Sequence, residues 1–194
     1  MLKTKIAVFV SGGGTNFEAL INAQENGKIP HGEIVLMVSS SKTAYALKRA
    51  ENHGIKSVVC SKKELGSQEK FEEEILKNLE ENDIQLIVLA GFMSILSKEF
   101  TKKYENRIIN IHPSLIPSFC GEGFYGLHVH EAALKKGVKV TGATVHIVNE
   151  IPDGGPIIMQ RAVYVEENDT PEILQKRVME QAEWIILPKA IDMI

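Results

Sequence analysis

The sequence predicts an α/β fold, a mostly parallel central sheet with helices on both faces. Short β-rich apolar runs alternate along the chain with longer stretches of helical periodicity, the order that βαβ units produce. The first and fourth runs, KIAVFV at 5–10 and QLIVLA at 85–90, are apolar almost throughout, as strands must be when helices cover both faces of a sheet. The first run leads straight into a glycine-rich turn, and a later one ends in alternating polar residues, so chemistry is expected at the carboxyl ends of strands.

Taken in order, the strand runs are 5–10, 33–39, 56–60 and 85–90. Between them lie helical patterns at 17–26, 43–53 and 68–81, the last with Phe71, Ile75, Leu76 and Leu79 at helical spacing. Gly54 gives the second helix a C-terminal stop. Beyond Leu96 come a short helix from about Lys98, the strand RIINIH at 107–112 and a Pro/Gly/aromatic loop from Pro113 to Gly126. A loop of that length in a compact domain is more often functional than idle. A helix near His130–Lys136 follows, then strands VTGATVHIVN at 140–149 and PIIMQRAVYV at 156–165. Thr170 and Pro171 form an N-cap and first-turn pair for a helix reaching Pro188, with Leu174, Val178, Ile185 and Ile186 on its core side.

The 194 residues, 44% of them hydrophobic, suit one domain over 1–194 built in two halves, about 1–100 and about 101–194. Lys and Arg number 22 against 25 Asp and Glu, a net charge of -3, so no global positive field draws nucleic acid or an anionic membrane. An anionic ligand must then be held by a local device. Cys60 and Cys120 lie far apart without CxxC spacing, which suits a reducing compartment. No run approaches the roughly 20 apolar residues of a membrane span, and the N-terminal run ends in glycines rather than a cleavage site. A soluble, cytoplasmic protein is expected, acting on small molecules; the sequence leaves the oligomeric state open.

Ser11-Gly12-Gly13-Gly14-Thr15-Asn16 joins the first strand to a helix. Small residues let the backbone approach an anion, and a helix N-terminus supplies N–H donors and a favourable dipole. The loop lacks the Lys of the Walker pattern and the third glycine of the dinucleotide fingerprint, and Ser39-Ser40-Ser41 stands where an acid would grip a ribose, which disfavours NAD. On its own it is either a phosphate cradle or a tight strand-to-helix turn.

Asn110 and His112 lie two apart at a strand end and therefore share a face. An amide can stabilise a developing oxyanion, and an imidazole can donate to it or relay a proton, which is suitable equipment for acyl transfer. A histidine held structurally by its neighbours is the other reading. Asp153-Gly154-Gly155-Pro156 is either a turn or a close loop bringing a carboxylate to His112. His128, His130 and His146 do not form a recognisable metal-ligand spacing, and no metal is expected.

SGGGTN at 11–16, LAGFMSIL at 89–96, NIHPSLIPSF at 110–119, GLHVHEAAL at 126–134, TGATVHIV at 141–148 and DGGPII at 153–158, in one order over nearly the whole chain, resemble the phosphoribosylglycinamide formyltransferases, a folate-dependent family. The resemblance implies a Rossmann-like formyltransferase fold. It implies that the formyl group of 10-formyltetrahydrofolate, a co-substrate, passes to the amine of N1-(5-phospho-D-ribosyl)glycinamide in purine biosynthesis, with no metal. Gly14, Thr15 and Asn16 would hold the ribonucleotide phosphate, and Glu183 its amine. Asn110, protonated His112 and Asp153 would form the catalytic trio. Met93, Ser94, Ile95 and Leu96, with Asn110 and the loop Val148, Asn149, Glu150 and Ile151, would contact the folate. Gln68, with Lys70 close by, replaces a basic residue that several relatives place near the phosphate. Cys120–Gly126 is longer than in many relatives. The alternatives are a 10-formyltetrahydrofolate hydrolase, a formyltransferase acting on another amine, and a binder without turnover.

Overall fold

A computed structural model describes residues 2–194. Seven strands form one mostly parallel sheet with helices around it, in the order β3-β2-β1-β4-β5-β6-β7. The strands are β1 (Thr4–Val10), β2 (Gly32–Ser39), β3 (Lys56–Val59), β4 (Leu86–Leu89), β5 (Ile108–His112), β6 (Val140–Ile147) and β7 (Ile157–Tyr164). The chain forms two compact units, Met1–Ile109 and Asn110–Ile194.

In the first unit β1 pairs in parallel with both β2 and β4, and β2 with β3. The central position of β1 explains its unbroken apolar run: Ile6, Ala7, Val8 and Phe9 have no exposed surface at all. The connecting helices are α1 (Thr15–Glu25), α2 (Ala46–Asn52), the single turn α3 (Lys62–Leu65), α4 (Gln68–Glu81) and α5 (Lys98–Lys103). In α4, Ser67 Oγ accepts from Lys70 N at 3.2 Å, satisfying one amide that the first turn leaves without a helical partner. Phe71, Ile75 and Leu79 then recur every four residues on its buried side. Ser97 caps α5 in the same way, accepting from Phe100 N at 3.1 Å. The sequence pattern gave no sign of α3, a turn too short to show periodicity, which Gly66 ends at φ 84°.

In the second unit β6 and β7 run antiparallel. β7 ends the sheet order and is exposed over much of its length, with polar Gln160 and Arg161 on its two faces blunting an open edge. Helix α6 (Leu127–Lys136) begins three residues earlier than the sequence pattern indicates. At the C-terminus the expected single helix is three pieces: α7 (Pro171–Val178), a π turn at Met179–Glu183 and α8 (Trp184–Asp192). Thr170 Oγ1 caps α7 through Ile173 N at 3.3 Å, with Pro171 in its first turn. Pro188 lies inside α8 and does not end it. No helix among the described residues is long and apolar enough to cross a membrane.

Candidate active site

In the first unit the buried end of β1 delivers the chain to Ser11, Gly12, Gly13 and Gly14. A side chain at Gly12 or Gly13 would meet nothing within 4 Å, whereas Gly14 sits at φ 72° against α2, where a Cβ would approach Ala46 Cβ to 2.8 Å. Gly14 is the cap residue of α1 and supplies no side chain to it. The positive end of the helix dipole therefore opens beside a backbone without bulk, with Thr15 exposed and Asn16 half-buried.

Ser11 ties this loop to the segment 93–96. Its Oγ accepts from Met93 N at 2.8 Å and from the Ser40 hydroxyl at 2.6 Å, and its N–H donates to Gly91 O at 3.1 Å. Along that segment the large apolar side chains of Met93 and Ile95 face solvent while Leu96 is buried. The other end is held from α4. Buried Glu72 accepts from Ser97 N and Ser97 Oγ, both at 2.6 Å, and Gln68 Nε2 donates to Ile95 O at 3.0 Å and to Glu72 Oε1. Both Gln68 amide hydrogens are thus committed inside the protein, and the side chain offers an anion no N–H in this geometry. In this geometry Gln68 helps to fix the 93–96 backbone.

In the second unit Asn110, His112, Asp153 and His146 converge. The alternation of β5 puts Asn110 and His112 on one face, and both reach Asp153: Asn110 Nδ2 lies 3.5 Å from Oδ1, and His112 Nδ1 3.4 Å from Oδ2. His146 enters from β6, its Nε2 3.1 Å from Asn110 Nδ2 and 3.4 Å from Asp153 Oδ1. His112 and His146 are almost wholly buried. Asp153 has φ 53° and is carried by a tight loop in which Ile147 N donates to Pro156 O at 2.8 Å. A Cβ on Gly155 would lie 1.8 Å from Ile147 O, so only glycine lets this loop close. Val148 is half-buried and Asn149, Glu150 and Ile151 are exposed along the same loop, with Asn149 Oδ1 accepting from Ile151 N at 2.9 Å. Glu183 is buried in the π turn, an irregularity that often marks functional positions.

Two backbone groups of the long 113–126 loop complete the cluster. His112 Nε2 donates to Phe119 O at 2.8 Å, and Gly121 N donates to Asp153 Oδ2 at 2.9 Å. Burial raises the Asp153 carboxyl, but hydrogen bonding by His146, the charge of His112 and the Gly121 N–H together hold it below its usual value. For His112 burial is the largest influence and wins: its pKa lies below 6.5, although Asp153 and the Phe119 carbonyl pull it upward. Burial thus works against the protonated His112 that the resemblance implies, and Asp153 works for it. A buried imidazolium costs more desolvation than one carboxylate 3.4 Å away returns. The neutral ring keeps its hydrogen on Nε2, where Phe119 accepts it. His130 on α6, fully buried, depresses His112 no further but is itself pushed down to about 4 by burial and by His112.

The sequence names His146 only among three histidines that lack metal-ligand spacing and gives it no place beside Asn110. Its signal lay in the strand pairing, since β6 neighbours β5 in the sheet.

The chain matches the Formyl transferase family over residues 4–191. It belongs to the formyl transferase family. Within that family it is 46% identical over 192 residues to the trifunctional purine biosynthetic protein adenosine-3 of Gallus gallus, covering 99% of this chain and 18% of that protein. It is 39% identical over 180 residues to the chloroplastic phosphoribosylglycinamide formyltransferase of Arabidopsis thaliana, covering 92% of this chain and 61% of that one. The crystal structure of phosphoribosylglycinamide formyltransferase from Bacillus halodurans superposes with a TM-score of 0.89 at 39% identity, over 98% of this chain and 94% of the other. The chain thus spans less than a fifth of the first sequence relative, somewhat less than two thirds of the second and nearly the whole of the structural one.

Proposed function

We propose that the chain moves the formyl group of 10-formyltetrahydrofolate to the amine of N1-(5-phospho-D-ribosyl)glycinamide, giving the N-formyl product and tetrahydrofolate, a step of purine biosynthesis. The observation that carries this reading is the near end-to-end likeness to phosphoribosylglycinamide formyltransferases of known structure, joined to a buried amide, imidazole and carboxylate cluster. The first unit would take the phosphate at Gly14, Thr15 and Asn16 and the pterin along 93–96. The second would carry Asn110, His112 and Asp153, the 148–151 loop and Glu183.

The unprotonated substrate amine adds to the formyl carbon, and the carbonyl oxygen takes up negative charge. Asn110 Nδ2 is suited to receive that charge, because its contact to Asp153 is long at 3.5 Å and readily exchanged for a stronger acceptor. His112 Nε2 already donates to an oxygen 2.8 Å away, the Phe119 carbonyl, and an oxyanion would compete for the same hydrogen. Phe119 must yield for His112 to serve. Asp153 stabilises charge on His112 as the adduct forms and accepts the proton leaving the amine through water. The C–N bond to the folate then breaks as that nitrogen is protonated.

A steady-state assay with 10-formyltetrahydrofolate, offering the ribonucleotide or water alone as acceptor, tests the reading. Formylated ribonucleotide is the expected product. Formate release that the ribonucleotide does not divert would mean a hydrolase.

A further inference from the structure

We propose that Arg49 is a positioning residue that aims the backbone N–H groups of the glycine loop at the substrate phosphate; this rests on the reading of that loop as the phosphate site. Arg49 stands on α2, behind the loop. Its Nε donates to Gly13 O at 2.9 Å, and one residue earlier Ala46 N donates to Gly12 O at 3.2 Å. Both carbonyls are therefore drawn toward α2. In a planar trans peptide the C=O and N–H point in opposite directions. Holding Gly12 O and Gly13 O from one side turns the N–H groups of Gly13 and Gly14 to the other, away from α2. The glycines would otherwise adopt many orientations, since neither Gly12 nor Gly13 has a neighbour within 4 Å of a Cβ to restrain it.

A second nitrogen of the guanidinium is also engaged inside the protein. Nη1 donates to Glu18 Oε2 at 3.0 Å, in the first turn of α1, and the guanidinium lies 5.1 Å from the Tyr45 ring centroid. Glu18 also meets His53 Nε2 at 3.1 Å, and His53 Nδ1 meets Glu25 at 3.2 Å. Arg49 therefore neutralises an acid that would otherwise repel a phosphate at the same helix end. It works by orienting a peptide and cancelling Glu18, through its planar fork, without contacting the ligand.

The test compares glycinamide ribonucleotide with its dephosphorylated nucleoside as acceptors, for wild type, Arg49→Met and Arg49→Lys, with thermal unfolding of each. In Arg49→Met, kcat/KM for the ribonucleotide should fall about tenfold or more while that for the nucleoside and the KM for folate hold within about twofold. Arg49→Lys, which keeps the charge but lacks the fork, should lose most of the same selectivity. Equal losses on both acceptors in Arg49→Met would mean that Arg49 merely supports the fold. Full phosphate selectivity in Arg49→Lys would mean that charge suffices and would overturn the orienting role. Wild-type protein that fails to distinguish the two acceptors would instead remove the phosphate reading of the loop itself.

Discussion

His112 Nδ1 stands 3.4 Å from Asp153 Oδ2, and this carboxylate is the main influence raising a histidine pKa that burial lowers. Asp153→Asn keeps the shape and removes the charge, so burial and His146 act unopposed by it and the His112 pKa moves further below 6.5. Turnover should fall by roughly 100-fold or more with little change in either KM, because the interaction matters most as charge develops in the transition state. NMR titration of the His112 ring in both proteins checks the cause. An unchanged pKa beside lost activity would mean that Asp153 acts through Gly121 or a held water.

Gly14→Ala should destabilise the fold by roughly 1–3 kcal/mol, from a left-handed backbone and from contact with α2. Ala46→Gly in the same chain removes the partner atom 2.8 Å away and should restore part of the loss, leaving the backbone share. A double-mutant cycle by urea unfolding separates the two. No coupling between the substitutions would mean that the close approach relaxes without cost.

Glu72 receives three donors, two from Ser97, which follows the 93–96 segment, and one from Gln68, which holds Ile95 O. Glu72→Gln turns an amide N–H₂ toward at least one of them, at a cost of roughly 1–3 kcal/mol. The segment should loosen, and the KM for folate should rise more than the KM for the ribonucleotide. Ser94→Ala, which leaves the backbone intact, should be mild. Equal effects of Glu72→Gln on both substrates would argue for a general folding defect.

Neither ring nitrogen of buried His130 has a hydrogen-bond partner. Its pKa is about 4 in the folded chain against 6.5 for a free imidazole. Between those values the unfolded chain binds the additional proton, so stability falls as pH drops through the window and is unaffected by this group above it. The ceiling is about 3 kcal/mol. His130→Leu should flatten the slope of unfolding free energy between roughly pH 6.5 and 4, leaving a smaller slope in the same direction from His112. An unchanged slope would mean that His130 gains a proton without opening the core.

The strands were legible because central parallel strands are apolar on both faces, and β1 with its buried Ile6–Phe9 is the plainest case. Helix α4 was legible to the residue because Ser67 and the Phe71, Ile75, Leu79 stripe both act within a few turns. Asn110 and His112 could be paired from strand alternation alone. Asp153 could not: a turn acid and an active-site acid look alike until the loop closes over Ile147. His146, Arg49 and Glu72 escaped notice for one reason. Their contacts join residues 36 apart for His146 and Asn110, 36 for Arg49 and Gly13, and 25 for Glu72 and Ser97, and no local pattern encodes such meetings.

The π turn at Met179–Glu183 acts as a register mark for the end of the chain. It accommodates one residue more than an α-helical turn would, and each residue of an α-helix advances about 100° around the axis. Deleting a single residue there would convert the π turn to an α turn and leave the last nine residues close to their present angle, so Ile186, Ala190 and Ile191 would keep their buried side. The same deletion within α7, where no residue is spare, would swing everything after it by about 100°. The irregular turn therefore marks where this helix can lose a residue without turning its far end away from the core.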